Sequence, residues 1–165
     1  MSPTPTAAHE AAHAVANVLL LPEFAAPSVT IVPDTRNGRE ILGRCNGPSI
    51  SDCIADNTRR ETARLVRALA VAKFAGPIAE ARVDPDYDGD GDEQDVYSAL
   101  YAVHHYTRSR GKLVKADARR FCRRNWTTIL AVAELLDARQ TLTGEEVAAL
   151  VAAHQGGSRP FSTGW

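Results

Sequence analysis

The sequence predicts a mainly α fold, a helical array of about five to six helices that carries a small two-stranded β-ribbon. Apolar residues recur at helical intervals along most of the 165 residues, whereas β-branched runs concentrate in the first third of the chain. Helix start signals precede several of the periodic segments. Because no repeat or linker interrupts this pattern, we expect one domain at residues 1–154 and a flexible tail at 155–165.

The first helix and the ribbon are predicted from local signals. Thr4 followed by Pro5 is typical of a helix N-terminus, so a helix is expected from about residue 5 to 20. The runs "SVTIV" (28–32) and "REILGRC" (39–45) are strand candidates, and the "PDTRNG" between them contains an Asn-Gly turn signal. These two runs form the predicted ribbon.

The rest of the chain is predicted to be largely helical. Helical periods occur in the segments 58–76, 96–108, 112–138 and 143–154. We expect Asp56 or Asn57 to cap the first of these, and Gly76-Pro77 to break it before "PIAEARV" makes one or two further turns. The preceding "CNGPSISDC" stretch is expected to be a loop.

The composition of the chain argues against several kinds of function and location. The net charge of −1 argues against a nucleic-acid binder, and the basic residues between 108 and 124 are expected to form a solvated helix face that pairs with an acidic loop. The three cysteines lack CxxC spacing, which indicates a reducing compartment. The longest apolar run, "AVANVLLLP", is too short to span a bilayer. We therefore expect a cytoplasmic protein with no membrane partner.

The stretch "TAAHEAAHAVANVLLLP" contains H-E-A-A-H at residues 9–13. Residues four apart share a helix face, so His9 and His13 can both bind one metal ion. Glu10 projects beside them, where it can take a proton from a metal-bound water. Zinc would lower the pKa of that water and polarise a scissile carbonyl, so the spacing is typical of zinc peptidases.

The alternative is that these are three polar residues without a metal. Ala11, Ala12 and Ala14 are small and apolar, so this helix face is expected to be buried, and burying polar side chains without partners is costly. A metal site is therefore favoured. It needs a third protein ligand, and the candidates are Glu80 and the acidic segment 84–95.

Five segments of the chain occur in a recognisable order. They are "HEAAHAV", "VTIVP", "ETARLVRALAVAKFAGPIAEARV", "GDEQDVYSALYAV" and "ILAVAELLDARQTLTGEEVAALV". In this order they resemble the peptidase domain of the FtsH family, membrane-anchored and ATP-dependent zinc metalloproteases, from about His9 to Val151. The ATPase module and the transmembrane segments of that family are not among them. The resemblance implies an FtsH peptidase-domain-like helical array with a two-stranded ribbon.

The resemblance also implies roles for individual residues. The third zinc ligand of the family is an Asp that opens the helix after the "AE" helix, which corresponds to Asp95 of "EQDVYSAL". Glu80 in "GPIAEA" matches a family glutamate near the metal and is expected to be an alternative ligand or a partner of a ligand. His9, His13 and Asp95 would then bind Zn²⁺. Glu10 would be the general base, and later the acid that protonates the leaving amine.

The expected function is that of a zinc-dependent metalloendopeptidase, a hydrolase that cuts unfolded or flexible polypeptides. The "SVTIV" strand or its partner would hold an extended substrate by β-augmentation. Without an unfoldase in the chain, we expect either a separate ATPase or a homo-oligomer as a further partner. The alternative function is a non-catalytic zinc- or calcium-binding module that derives from a peptidase and acts through protein interactions.

The acidic segment "DPDYDGDGDEQD" (84–95) has a second interpretation. It fits a calcium loop of D-x-D-x-D-G form with an acid at position twelve. The ligands would come from Asp84, Asp86, Asp88 and Asp90, with Asp95 closing the loop. Asp95 cannot serve zinc and calcium at once, and a solvated acidic turn remains the other interpretation.

Overall fold

The computed structural model describes residues 2–36, 39–87 and 93–155, and the predicted mainly α fold is confirmed. Within these ranges the helices are α1 Pro5–Leu20, α2 Ile50–Ile54, α3 Arg59–Val83, α4 Glu93–Tyr106, α5 Gly111–Arg124, α6 Trp126–Arg139 and α7 Gly144–Gln155. The strands are β1 Val29–Thr30, β2 Asp34–Arg36, β3 Arg39–Ile41, β4 Arg44–Cys45 and β5 Thr141–Leu142.

Helix α1 forms where it was predicted and lies inside the molecule. The Thr4 side chain accepts a hydrogen bond from the amide of Ala7 at 3.2 Å, and Pro5 occupies the first turn. Ten of the sixteen residues of α1 are buried, and the helix packs against α3 and α6. The H-E-A-A-H motif is therefore held within the protein.

Small residues let α1 and α3 approach closely. The buried alanines of the two helices include Ala8, Ala11, Ala12, Ala72, Ala75 and Ala79. Because interhelical distance is set by the side chains at the contact, alanine-rich faces bring the two backbones close together. Side chains of α1 can therefore reach backbone atoms of α3.

The prediction that Gly76-Pro77 breaks the helix is wrong. Helix α3 continues through both residues to Val83. A proline inside a helix removes one hydrogen bond and costs about 3 kcal/mol in isolation. Here the flanking residues Phe74 and Ala79 are buried against neighbouring elements, so packing outweighs the local preference.

Thr58, and not Asp56 or Asn57, caps helix α3. The Thr58 hydroxyl accepts a hydrogen bond from the amide of Glu61 at 3.3 Å, and the Glu61 carboxylate accepts one from the amide of Thr58 at 3.0 Å. This reciprocal pair is a capping box. It places the helix start one or two residues later than predicted.

Two other helical boundaries also differ from the prediction. The expected loop at 45–53 contains α2, which opens with a capping box between Ser49 and Asp52. The expected single helix over 112–138 is two helices, α5 and α6, that meet at Asn125. The buried Asn125 side chain donates to a carbonyl of α5 at 3.0 Å, the kind of local bond that competes with a continuing helix.

The predicted pairing of the two strand runs is present, and two strands that were not predicted accompany it, β2 inside the expected turn segment and β5 after α6. Strand β1 pairs antiparallel with β4 on one side and with β5 on the other, and β2 pairs with β3. The register joins Val29 to Cys45 and Leu142, and Thr30 to Arg44 and Thr141. Strand β5 follows α6 and was not predicted. The Asn-Gly turn signal at 37–38 and the tail from 156 lie outside the described residues.

The largest buried apolar cluster draws on α1, α3 and α4 to α7, together with β1 and β5. The helices are therefore packed around shared apolar contacts. None of the described helices is both long and apolar enough to cross a membrane.

Candidate metal centre

Three predicted ligands meet where α1, α3 and the first turn of α4 come together. The Nε2 atom of His13 lies 2.9 Å from Nε2 of His9 and 2.9 Å from Oδ2 of Asp95. The Nε2 atom of His9 lies 3.6 Å from the same carboxylate oxygen. Among the described residues, these three form the group of histidine, cysteine and acidic side chains that could hold a metal ion.

The outer ring nitrogens of both histidines are engaged elsewhere. His9 Nδ1 lies 2.7 Å from Oε2 of Glu80, and His13 Nδ1 lies 2.7 Å from the carbonyl oxygen of Ala72. Both oxygens are acceptors, so each Nδ1 carries the proton and each Nε2 of a neutral ring presents a lone pair. Glu80 therefore contacts the nitrogen of His9 that faces away from Asp95.

The donor set fits a metal ion. Two imidazole lone pairs and one carboxylate oxygen converge, and an arrangement of acceptors only requires positive charge between them. Tetrahedral ligands at 2.0–2.1 Å from zinc are about 3.3 Å apart, and the three observed separations of 2.9, 2.9 and 3.6 Å bracket that value. Protons on the rings are the other source of positive charge.

Lys73 binds the other oxygen of Asp95. Its Nζ donates to Oδ1 at 2.8 Å, while Oδ2 faces the two histidines. Burial alone would raise the pKa of Asp95. When the His13 and His9 rings also carry protons on Nε2, their hydrogen bonds to Asp95 and the charge of Lys73 outweigh burial and hold that pKa far below its usual range. The Asp95 side chain is thus an anion with one oxygen directed at the histidines.

Glu10 is enclosed beside the histidines. It is 7% exposed, and its Oε2 atom is buried with no hydrogen-bond partner among the described residues. Burial raises the pKa of Glu10, which the nearby His13 and His9 partly counteract. A buried carboxylate oxygen without a donor is costly, so this atom is available to a proton that arrives with a ligand or a water.

The backbones of two glycines lie close to side chains of the site. A Cβ atom at Gly76 would lie 2.5 Å from Nε2 of His13 and 2.7 Å from Nε2 of His9. A Cβ atom at Gly43 would lie 2.8 Å from Oε1 of Glu10. Real Cβ atoms essentially never come this close to other atoms, so a side chain at either position would displace residues of the site.

Strand β4 is an edge strand next to this centre. Cys45 and Lys73 line one small cavity together with His13 and Asn17. The described part of the chain pairs no strand with the second edge of β4, whereas β1 is paired on both sides. Both edges of β1 in the "SVTIV" run are therefore occupied, and of the two predicted alternatives only its partner β4 has an unpaired edge among the described residues.

Only part of the predicted calcium loop lies within the described residues. Asp84 follows α3 as its C-cap, and its Oδ1 accepts a hydrogen bond from the amide of Asp86 at 3.0 Å. Asp88 and Asp90 lie outside the described residues. Asp95, the predicted last calcium ligand, is with the histidines instead.

Two residues of the centre were missed from the sequence. Lys73 interrupts the apolar run "AVAKFAG", and a charge inside a buried helix face is a sign that it has a partner. Gly76 was interpreted as a helix breaker, although a glycine inside a long helical period also signals a close approach.

Comparison with known proteins adds no relative. No protein-family model matches the chain, and no curated protein matches it significantly.

Proposed function

We propose that the protein is a zinc-dependent metalloendopeptidase that hydrolyses peptide bonds in unfolded or flexible polypeptides. The observation that carries the proposal is the convergence of His9 Nε2, His13 Nε2 and Asp95 Oδ2, with the partnerless carboxylate of Glu10 beside them. Two histidines and one carboxylate are a ligand set that suits zinc and leaves one coordination position for water or substrate. The FtsH-like order of segments supports the same reaction.

Zinc bound there would make a water nucleophilic at neutral pH and polarise the scissile carbonyl. Glu10 takes the proton of the attacking water on its buried carboxylate and gives it to the leaving amine. A pKa raised by burial helps the carboxylate to hold that proton between the two transfers.

The partners of the ligands fix the geometry. Glu80 and the Ala72 carbonyl hold the Nδ1 protons, so the Nε2 lone pairs stay directed at the metal. Lys73 holds Oδ1 of Asp95, which leaves Oδ2 for the metal. We assign Glu80 the role of orienting His9 and not that of a ligand.

The open edge of β4 is the proposed substrate-binding strand. Asn46 donates to the carbonyl of Ser28 at 2.9 Å, so in the antiparallel alternation the peptide groups of Gly43 and Cys45 face away from β1. An extended substrate could pair with those groups next to Glu10. Main-chain pairing of this kind gives affinity with little side-chain selectivity.

A zinc titration combined with a peptidase assay tests the proposal. We expect the wild type and Glu10→Gln each to hold one zinc per chain, and only the wild type to cleave disordered casein. The loss in Glu10→Gln should be about 10²-fold or more. Glu134→Gln, an exposed change on α6, is the matched control and should keep full activity. Zinc-loaded wild type that cleaves no disordered substrate would favour the non-catalytic metal-binding module.

A further inference from the structure

A second cavity, of about 600 Å³, lies between α3, α4 and α5. This volume is within the range typical of ligand sites, roughly 300–1,000 Å³. None of the metal-centre residues lines it. The inference below concerns binding at this cavity and holds whether or not the metal centre cleaves peptides.

One wall of the cavity is a row of cations on α5. Lys115, Arg119 and Arg123 line it at intervals of four residues, so they share one helix face. All three are exposed, and none is within 4.0 Å of a carboxylate in the part of the chain that the structure describes. By contrast, Arg120 on the same helix pairs with Asp117. The row is therefore unneutralised by the described residues, and residues 88–92 of the acidic loop predicted to pair with this helix face lie outside them.

The opposite wall is apolar. It is formed by Ile78 and Ala81 of α3 and by Val96 of α4, and Tyr87, which follows α3, also lines the cavity. Arg82 also borders the cavity, but its guanidinium carbon lies 4.1 Å from the centre of the Trp126 ring and is engaged there. A ligand between the two walls would meet positive charge on one side and apolar surface on the other.

The spacing of the row identifies the kind of ligand. Four residues of α-helix rise about 6 Å, and alternate residues of an extended chain are about 6.6 Å apart. Acidic side chains at every second position of an extended peptide would therefore each face one cation. The intervening side chains point the other way, towards the apolar wall.

We propose that this cavity binds an extended acidic polypeptide segment in which acidic and apolar residues alternate. A small anion would leave the apolar wall uncovered. A nucleic-acid strand would place its phosphates at the row, but its bases would need aromatic surfaces for stacking. Among the residues that line the cavity only Tyr87 is aromatic, so a run of successive bases would find a single stacking surface.

Fluorescence anisotropy with labelled peptides tests the inference on the zinc-loaded full chain, with Glu10→Gln so that the peptide stays intact. The probe is Gly-Glu-Leu-Glu-Leu-Glu-Gly, and the control of equal composition is Gly-Glu-Glu-Glu-Leu-Leu-Gly. We expect the alternating peptide to bind several-fold more tightly than the blocked one. Equal binding of the two peptides would overturn the proposal, because charge alone would then explain it.

Amino-acid substitutions test whether the peptide binds at this cavity. Arg119→Gln with Arg123→Gln should weaken binding of the alternating peptide about tenfold. Lys112→Gln removes a charge from the same helix outside the cavity and should change little. Ala81→Phe should also weaken binding by filling the apolar side. Arg119→Glu with Arg123→Glu should transfer the preference to the corresponding Lys-Leu peptide.

Three results would contradict the inference. Binding that survives both the charge removal and Ala81→Phe would place the peptide elsewhere. A short single-stranded oligonucleotide that binds more tightly than the peptide, and loses affinity in the same variants, would make this a nucleic-acid site. Self-association that Arg119→Gln with Arg123→Gln abolishes would make the cavity a contact between two copies of the chain.

Discussion

The two histidines of the motif are restricted to one role by the contacts of their outer nitrogens. Because Glu80 and the Ala72 carbonyl hold the Nδ1 protons, neither ring can turn its Nε2 lone pair away without breaking the hydrogen bond of its Nδ1. The positions of those lone pairs are set by α3, and Gly76 is the point of closest approach.

Gly76→Ala should abolish zinc binding with only a moderate effect on the fold. The new Cβ would lie within 2.7 Å of both Nε2 atoms, so the rings must move from the positions that the ligands need. Alanine is otherwise the better helix former by about 1 kcal/mol. We expect at least a hundredfold loss of zinc affinity, measured by competition with a chromophoric chelator.

Gly111→Ala is the matched control for this prediction. Its Cβ would meet only the end of the exposed Leu100 side chain, which can move. Zinc affinity should be unchanged. If Gly76→Ala binds zinc as tightly as Gly111→Ala does, the rings do not hold the metal in the described positions.

Replacing the carboxylates separates a ligand from a residue that orients one. Asp95→Asn removes the charge of the proposed ligand and should weaken zinc binding more than Glu80→Gln does. Glu80→Gln keeps an acceptor for His9 Nδ1 and should weaken zinc binding about 10-fold. This is the lower end of the effects seen when a hydrogen-bond partner of a metal ligand is replaced. The same chelator competition measures both. A larger loss for Glu80→Gln would make Glu80 the third ligand.

How far the centre could be predicted differs from residue to residue. His9, Glu10 and His13 follow from helical spacing, because the contact is local. Asp95 is 82 positions beyond His13, and no local rule connects them, so only the resemblance to a family indicated it. Gly76 acts through the packing of α1 on α3, and Lys73 acts through the contact of α3 with α4. The partner of each residue is distant in sequence, so a single sequence does not reveal it.

At the scale of elements, three helices begin with a capping box that titrates in acid. Hydrogen bonds from the capping Ser or Thr lower the pKa of Asp52, Glu61 and Glu146. A carboxylate with a lowered folded-state pKa stabilises the fold above its unfolded pKa, and that contribution is lost as the pH falls through the folded value. These capping boxes therefore stabilise the fold at neutral pH, and that contribution is lost in acid.

We expect thermal stability to decrease below about pH 4.5, and Glu61→Gln to make that decrease shallower. The substitution removes one titrating group, so the contribution of Glu61 is the difference in acid-induced loss of stability between the variant and the wild type. Circular dichroism melts of the zinc-free protein between pH 3 and 7 measure it without proton competition for metal. Glu134→Gln, which caps no helix, should follow the wild type. An identical acid slope for Glu61→Gln and wild type would refute the role of this capping box.

Element boundaries were predictable where a local signal dominates and not where packing does. Thr4-Pro5 marks α1 correctly because the cap itself forms the contact. Pro77 marks a break that does not occur, since buried neighbours on both sides hold α3 together. Strand β5 has only two residues, which are too few to show a strand pattern in the sequence. It is defined by its pairing with β1.

At the scale of the whole molecule, the proposed active site requires an extended substrate. An edge strand and an enclosed centre accept a peptide that has already left its own fold. Global unfolding costs about 5–15 kcal/mol for most domains, whereas a disordered chain bears no such cost. We expect zinc-dependent cleavage of disordered casein and no cleavage of a tightly folded protein at the same concentration. The same folded protein should become a substrate once it is unfolded irreversibly, as a gel assay would detect. Rapid cleavage of the folded form would contradict this account.

The central claim is that three converging acceptor atoms bind zinc, and anomalous diffraction at the zinc edge tests it most directly. Crystals of the zinc-loaded protein should show one anomalous peak per chain at about 2.0–2.2 Å from Nε2 of His9, Nε2 of His13 and Oδ2 of Asp95. The Glu10 carboxylate should lie beside the ion without binding it. A zinc peak elsewhere in the molecule, or direct zinc ligation by Glu80 in place of Asp95, would contradict the assignment.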